Sequence, residues 1–300
     1  MSSRKSYNNF QTLRFVVILS AVSATILSLL AAVLAKPKEI AKSLDQSKQM
    51  LIAAKIYDYK GYFTIRESEE KIVPAKFENQ VLVPDGNPPF ATSQEILDIY
   101  NIRIKPFLTN DKGEIKTFEE LSIDETKYLE QYRKEGYYKQ PWKLFYEILP
   151  NEPPSKLTKD SKPIGYVIPV NGYGLWDAIY GYLALEPNGD TVIGISWYDQ
   201  KETPGLGANI AEPDWQSDFP GKLIFQPSPS GETDFKTAPL GITVVKGKVS
   251  EVYGDSPKAK SAVDGMAGAT LTGNGVTDAY RNVLNAYRPF LIKVHSEVKK

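Results

Sequence analysis

From Phe15 to Ala35 the chain reads FVVILSAVSATILSLLAAVLA, without a charge and without a proline. At about 1.5 Å per residue, a helix over this run spans roughly the 30 Å hydrocarbon core of a bilayer. Arg4, Lys5 and Arg14 precede it, and Lys36, Pro37 and Lys38 close it. A cleaved signal peptide is the rival reading, and Val33-Leu34-Ala35 would serve as its cleavage site. Signal peptides, however, usually carry an apolar region of only about 7–15 residues. The run therefore predicts a retained single-pass helix over 15–35, held in the lipid bilayer. Its short basic leader favours a cytoplasmic tail over 1–14, with everything after Lys36 outside the cytoplasm.

The rest of the chain has ordinary globular composition. Lys+Arg and Asp+Glu are both 36, so the formal net charge is zero. A neutral balance without a basic patch argues against nucleic acid as a partner. There is no cysteine, and His295 is the only histidine. That closes disulfides, Cys-ligated iron–sulfur clusters, thiol redox motifs and haem attachment. It also excludes His-cluster metal sites and disfavours a Ser-His-Asp triad, with His295 near a fraying end.

Residues 36–58 follow as a stalk helix, with Ile40, Leu44 and Leu51 at helical spacing. Residues 59–160 are broken by Pro84-Asp85-Gly86, Pro88-Pro89 and Pro150 to Pro154. Between these breaks lie Glu95–Tyr100 and a charged stretch, Thr117–Lys134, read as helix. Glu67, Glu69, Glu70, Glu119 and Glu120 read as solvated surface. From residue 161 the texture is β-rich. Ile164–Val170, Ala178–Leu185, Val192–Tyr198 and Leu240–Val245 read as strands, and Pro187-Asn188-Gly189-Asp190 as a hairpin turn. Tyr180 and Tyr182 read as packing on a sheet face. Val276, Ala279, Tyr280, Val283, Leu284 and Tyr287 trace one helix face, entered through Asn274-Gly275 and stopped near Pro289. The expected class is α+β: one N-terminal transmembrane helix, then a domain with a mostly antiparallel sheet and flanking helices.

Three Gly-containing segments stand out: Asn171 to Asp177 (NGYGLWD), Glu202 to Gly207 (ETPGLG) and Asp264 to Gly275 (DGMAGATLTGNG). Gly205-Leu206-Gly207 lacks the third glycine of a dinucleotide fingerprint, because that position is Ile210. Gly268 to Gly273 has P-loop spacing, but Asn274 and Gly275 stand where Lys and Ser/Thr are needed. What remains is a threonine among very small residues, Ala267-Gly268-Ala269-Thr270. Such a turn leaves a hydroxyl accessible, and its N–H groups ahead of a helix suit a phosphate. A plain strand–turn–helix junction is the alternative on composition alone.

The stretch Asp264-Gly265-Met266-Ala267-Gly268-Ala269-Thr270 resembles the D-G-x-[ST]-G-A-T flavinylation motif. It is similar to that of the covalent-FMN-binding subunit family of the bacterial sodium-translocating NADH:quinone oxidoreductase. The Asn171–Trp176 and Glu202–Gly207 segments, in the same order, resemble the other short motifs of that family. The likeness extends over 161–291, the FMN-binding domain, and loosely over 1–58. Residues 59–160 look family-variable, and 292–300 form a tail. Ala267 departs from the pattern, which usually has Ser or Thr there.

The resemblance implies FMN joined to Thr270 by a phosphoester, attached by a flavin transferase using FAD. Thr272 is the nearby decoy. It further implies an electron-transfer subunit in the bacterial inner membrane, its bulk periplasmic, working with other subunits of the complex to pass electrons from NADH towards quinone. No NADH or sodium site of its own is expected. Gly268, Ala269, Leu271, Thr272 and Gly207 are expected around the flavin. Leu175, Trp176, Thr203 and Leu206 are expected to give its ring apolar walls, although Trp176 could equally be core packing. The rivals are the subunit of an Rnf-type ferredoxin-dependent complex that shares the acceptor motif, and a non-redox anchored binding or scaffold domain.

Overall fold

The computed structural model describes residues 8–68, 71–158 and 161–298. Arg4, Lys5, Glu69 and Glu70 lie outside the described residues, whereas Glu67, Glu119 and Glu120 are exposed, as expected of solvated surface. The chain divides into two units at Asp45 and Gln46.

The first unit is helical. Helix α1 (Asn9–Ala53) begins in it and runs through Pro37. Its apolar residues from Phe15 to Leu34 are exposed. It is long and apolar enough to cross a membrane.

The last turns of α1 belong to the second unit, where Met50, Leu51, Ile52 and Ala53 are buried. The helix stops at Ala53, short of the 58 read from sequence. Lys55 follows in the left-handed region at φ 57°. Then come β1 (Phe63–Arg66), β2 (Ile72–Glu78) and β3 (Val81–Pro84), an antiparallel three-stranded sheet. Helix α2 (Ser93–Arg103) starts on a capping box: the Thr92 side chain accepts from Glu95 N, and the Glu95 carboxylate accepts from Thr92 N.

The main sheet has six strands in the order β5-β4-β6-β7-β8-β9, every neighbour antiparallel. They are β4 (Ile104–Thr109), β5 (Ile115–Lys116), β6 (Lys143–Ile148), β7 (Gly165–Tyr173), β8 (Ala178–Leu185) and β9 (Val192–Asp199). Three of these strands come from 59–160 and three from 161–291, so the two segments share one sheet. Helix α3 (Glu125–Tyr132) is shorter than the Thr117–Lys134 stretch suggested. Ser122 takes φ 55°, which a continuing helix cannot include, and Asp124 caps the new start by accepting from Lys127 N.

After β9 lie α4 (Pro213–Gln216), β10 (Thr243–Val244), α5 (Val249–Val252), β11 (Ala262–Val263) and α6 (Thr270–Val298). Only two residues of the Leu240–Val245 stretch form a strand, and they pair in parallel with β11.

Helix α6 departs from its sequence reading at both ends. It starts at Thr270 rather than after Asn274-Gly275, because those residues are packed instead of turned. A Cβ on Gly275 would stand 2.1 Å from the Tyr173 carbonyl oxygen. It also runs on past Pro289. Proline removes the N–H that would reach the Asn285 carbonyl, at a cost of about 3 kcal/mol. Phe290, Leu291 and Val294 are nevertheless buried just beyond it, each contributing about 1.5–3 kcal/mol, which offsets that loss.

The core lies where α6 crosses the sheet. Phe290 meets Phe145 with ring centroids 4.3 Å apart, Tyr280 meets Trp197 edge-on at 5.5 Å, and the Tyr287 hydroxyl donates to the Leu144 carbonyl. Tyr182 is buried and stacks on Tyr198, and half-buried Tyr180 lies under the Arg133 guanidinium, so both tyrosines serve packing. Helix α6 also comes close to β7 at Gly172, where a Cβ would sit 2.5 Å from Ala279 Cβ. Gly172→Ala should therefore push helix from strand and cost about 1–3 kcal/mol, read as a lowered midpoint in urea unfolding followed by tryptophan fluorescence.

Candidate functional site

The three Gly-containing segments are far apart in sequence and meet at one carboxylate. Asn171 to Asp177 forms the end of β7 and the turn into β8, closed by the Gly174 N–H donating to the Asp177 carbonyl at 2.9 Å. Glu202 to Gly207 follows β9. Asp264 to Gly275 follows β11 and becomes the start of α6. The Glu202 side chain is buried, and three donors converge on it. Leu175 N and the Thr272 hydroxyl donate to Oε2, at 3.0 and 2.5 Å, and Trp176 N donates to Oε1 at 2.9 Å.

Two glycines make this convergence possible. A Cβ on Gly174 would lie 2.4 Å from Glu202 Oε1, and a Cβ on Gly207 would lie 2.4 Å from Thr272 Oγ1. Either would displace the carboxylate or its donor. Burial by itself would raise the Glu202 carboxyl. The hydrogen bonds from Thr272, Trp176 N and Leu175 N outweigh it and hold the group below its ordinary value.

At the mouth of α6 the two threonines are separated by environment. Gly268 takes φ 73°, Ala269 N donates to Met266 O, and Gly273 N makes the first helical bond, to Ala269 O. Thr270 stands at the first helical position and is exposed, whereas Thr272 is 1% exposed. The first N–H groups of a helix have no partner within it and favour an anion. Beside Thr270 opens a cleft of about 520 Å³, lined by Lys246, Lys248, Ala267, Gly268, Ala269 and Asn274 among others.

The first two motif residues build this cleft. Asp264 Oδ1 accepts from Val249 N, its carbonyl accepts from Trp215 Nε1, and a Cβ on Gly265 would fall 2.0 Å from the Val245 carbonyl oxygen.

Around the same helix start the surface is unusually apolar. Tyr173, Leu175, Trp176, Leu206 and Leu271 are all exposed, Trp176 at 67%. Trp176 is therefore not core packing. Its indole Nε1 donates to Thr203 Oγ1 at 3.1 Å, which fixes the ring. Leu206 lies against Gly268, where an added Cβ would come within 2.9 Å of Leu206 Cδ2.

The residues expected around Thr270 thus fall in one neighbourhood, in two roles. Gly268 and Ala269 line the cleft. Leu175, Trp176, Leu206 and Leu271 present apolar surface, with Thr203 bracing the indole, while Thr272 and Gly207 are buried supports.

Sequence reading missed the role of Glu202 and the two lysines of the cleft. A carboxylate opening a Gly-rich segment was the available signal for Glu202, but its donors come from residues 26 to 70 positions away. His295 is not at a fraying end. It sits on α6, with Nδ1 2.9 Å from the Asn188 carbonyl and its ring stacked on Phe235. Among the described residues no group of three His, Asp or Glu could hold a metal ion.

An anion-favouring helix start, a small-residue cleft and an apolar rim thus meet at the start of α6. A family model described as an FMN-binding domain matches residues 174–285, which include Glu202 and Thr270. NqrC of Chlamydia caviae, a subunit of its Na(+)-translocating NADH-quinone reductase, is 44% identical, over 93% of this chain and 90% of its own. That of Chlamydia pneumoniae is 43% identical over the same shares. Two solved structures agree at 25% identity over 85% of this chain. The corresponding subunit from Parabacteroides distasonis has a TM-score of 0.52 over 94% of its length, and NqrC of Shewanella oneidensis 0.53 over 99%. The chain belongs to the NqrC family of Na(+)-translocating NADH-quinone reductase subunits.

The depressed Glu202 carboxyl has a consequence for stability. Its contribution is present above the ordinary value of 4.5 and is lost as pH falls through the lower folded value. Glu202→Gln places an amide donor against existing donors and should cost about 1–3 kcal/mol at neutral pH. In urea unfolding across pH, the variant should lose less stability than wild type on acidification below pH 4.5.

Proposed function

We propose that this chain is the membrane-anchored electron-transfer subunit of a bacterial Na(+)-translocating NADH-quinone reductase, carrying FMN as a phosphoester of Thr270. The observation that carries the reading is the contrast between the two threonines. Thr270 offers an exposed hydroxyl at a helix start, whereas the Thr272 hydroxyl is buried and committed to Glu202. The residues present fit the group. Lys246 and Lys248 supply positive charge at the cleft and the first turn of α6 supplies N–H donors, both suited to a phosphate. Leu175, Trp176, Leu206 and Leu271 supply apolar surface suited to an isoalloxazine ring. When bound, FMN supplies the electron-carrying chemistry that no side chain here provides.

A threonine hydroxyl is a weak nucleophile without a base. A separate flavin transferase is therefore assigned to the attachment. Thr270 Oγ bonds the FMN phosphorus of FAD, the pyrophosphate bond breaks, AMP leaves, and the hydroxyl proton passes to the transferase. The helix over 15–35 anchors the chain in the inner membrane, with the domain on the periplasmic side. The chain acts with the other subunits of the complex, relaying electrons from NADH towards quinone. Membership of the NqrC family argues against the Rnf-type subunit, and the FMN-binding match argues against a non-redox scaffold.

Mass spectrometry of the Thr270 peptide from the native complex should give a gain of one FMN minus water. Thr270→Ala should abolish the gain and Thr272→Ala should retain it. An unmodified wild-type peptide would sink the reading and leave the scaffold.

Sidedness is testable because the chain has no cysteine. Ser155 is exposed, and Ser155→Cys should react with a membrane-impermeant maleimide added to spheroplasts. Labelling only after lysis would reverse the orientation.

A further inference from the structure

A second cavity, of about 430 Å³, shares no lining residue with the Thr270 cleft. Its walls come from the segment just after α1, from β1, from the end of α2 and from the strands β6 and β9. Four cationic side chains line it: Lys55, Arg66, Arg103 and Lys162. Its one carboxylate, Glu186, is ion-paired with Arg66. Among the described residues, no salt bridge joins Lys55, Arg103 or Lys162 to a carboxylate.

Arg103 is 4% exposed, which is unusual for an arginine without an acidic partner. Its Nε donates to the Leu149 carbonyl and its Nη1 to Asn151 Oδ1 at 3.5 Å. Among the described residues its Nη2 meets no protein acceptor. Lys55 holds a left-handed backbone that glycine would adopt at less cost. Its side chain lies against Gly194 of β9, where an added Cβ would come within 2.9 Å of Lys55 Cε. Fold and sequence thus hold a lysine in a strained place and clear room for it. Ile56, Ile148, Ile164 and Ile193 complete the walls and reduce the screening of charge.

We propose that this cavity is a binding site for a phosphate-type oxyanion, gripped by Arg103, Lys55 and Lys162. A guanidinium fork matches tetrahedral oxygens, and two ammonium groups supply the remaining charge. The anion neutralises cations that burial otherwise penalises. Burial draws Arg103 down to about 10 and lowers Lys55 despite the nearby Asp58, so both charged forms gain from an anionic partner. Free phosphate and an anionic lipid headgroup carry the same chemistry.

The test is calorimetric titration of the full chain in maltoside micelles with inorganic phosphate, beside native mass spectrometry for retained phosphatidylglycerol. Wild type with FMN attached should bind phosphate at one saturable site. Exposed Lys162→Gln should weaken binding roughly tenfold, and Lys55→Met with Lys162→Gln roughly a hundredfold, as expected for about 1.4 kcal/mol per charge-assisted contact. Lys134→Gln, at an exposed lysine that lines neither cavity, should leave it unchanged, and circular dichroism checks that each variant is folded. Phosphate binding without a lipid adduct identifies a soluble ligand. A lipid adduct lost in Lys162→Gln identifies a headgroup. Absence of both, or wild-type binding in the folded double variant, overturns the proposal.

Discussion

The buried carboxylate of Glu202 is the constraint on which the site depends. It gathers two backbone N–H groups from the β7–β8 turn and one hydroxyl from the first turn of α6. A buried carboxylate is stable only when its lone pairs are used, and here three donors use them. Each donor is also a positional statement. The N–H bonds fix the turn that exposes Leu175 and Trp176. The Thr272 bond fixes the rotation of α6 about its axis, and hence the direction in which Thr270, two residues earlier, presents its hydroxyl. Gly174 and Gly207 belong to the same device, since a single methyl group at either would intrude on the carboxylate or on its hydroxyl donor.

The helix that begins at Thr270 is held by the core over most of its length. From Val276 to Val294 it buries a continuous face against the six-stranded sheet. Thr270 is thus the free end of a helix held by the core and not part of a loose loop. Such placement suits a group that must be held at a fixed distance from redox partners, because position is what the protein contributes when a cofactor carries the electrons. The β strands do the complementary work. They bring the end of β7 and the segment after β9 to the same end of the sheet as the start of α6.

Much of this was legible in the residues themselves. Ala178–Leu185 and the hairpin at Pro187 to Asp190 follow from β-branched and aromatic alternation broken by strong turn formers. The face from Val276 to Tyr287 follows from its period. The apolar run before Lys36 needs only its length. Reading failed where a local signal was overridden by contacts distant in sequence. Pro289 and the Asn274-Gly275 pair look like helix breakers, yet packing against Phe145 and the Tyr173 backbone keeps both inside α6. Thr117–Lys134 looked like one helix, but Ser122 in the left-handed region divides it. Within the candidate site, the motif pointed to Thr270 and its small neighbours. It did not reveal that Glu202 joins all three segments, because hydrogen bonds between distant residues leave no periodic trace in a sequence.

The long reach of α6 also bears on the order of events during biosynthesis. Phe290, Leu291 and Val294 are made after Thr270, and they dock the helix that begins there. Until they have emerged and packed, the Thr270–Thr272 turn lacks the support that distinguishes one hydroxyl from the other. A nascent or truncated chain would present two similar threonines in a flexible segment, whereas a finished one presents a single accessible hydroxyl. Packing of the core thus decides which of the two hydroxyls stays accessible at the start of the helix.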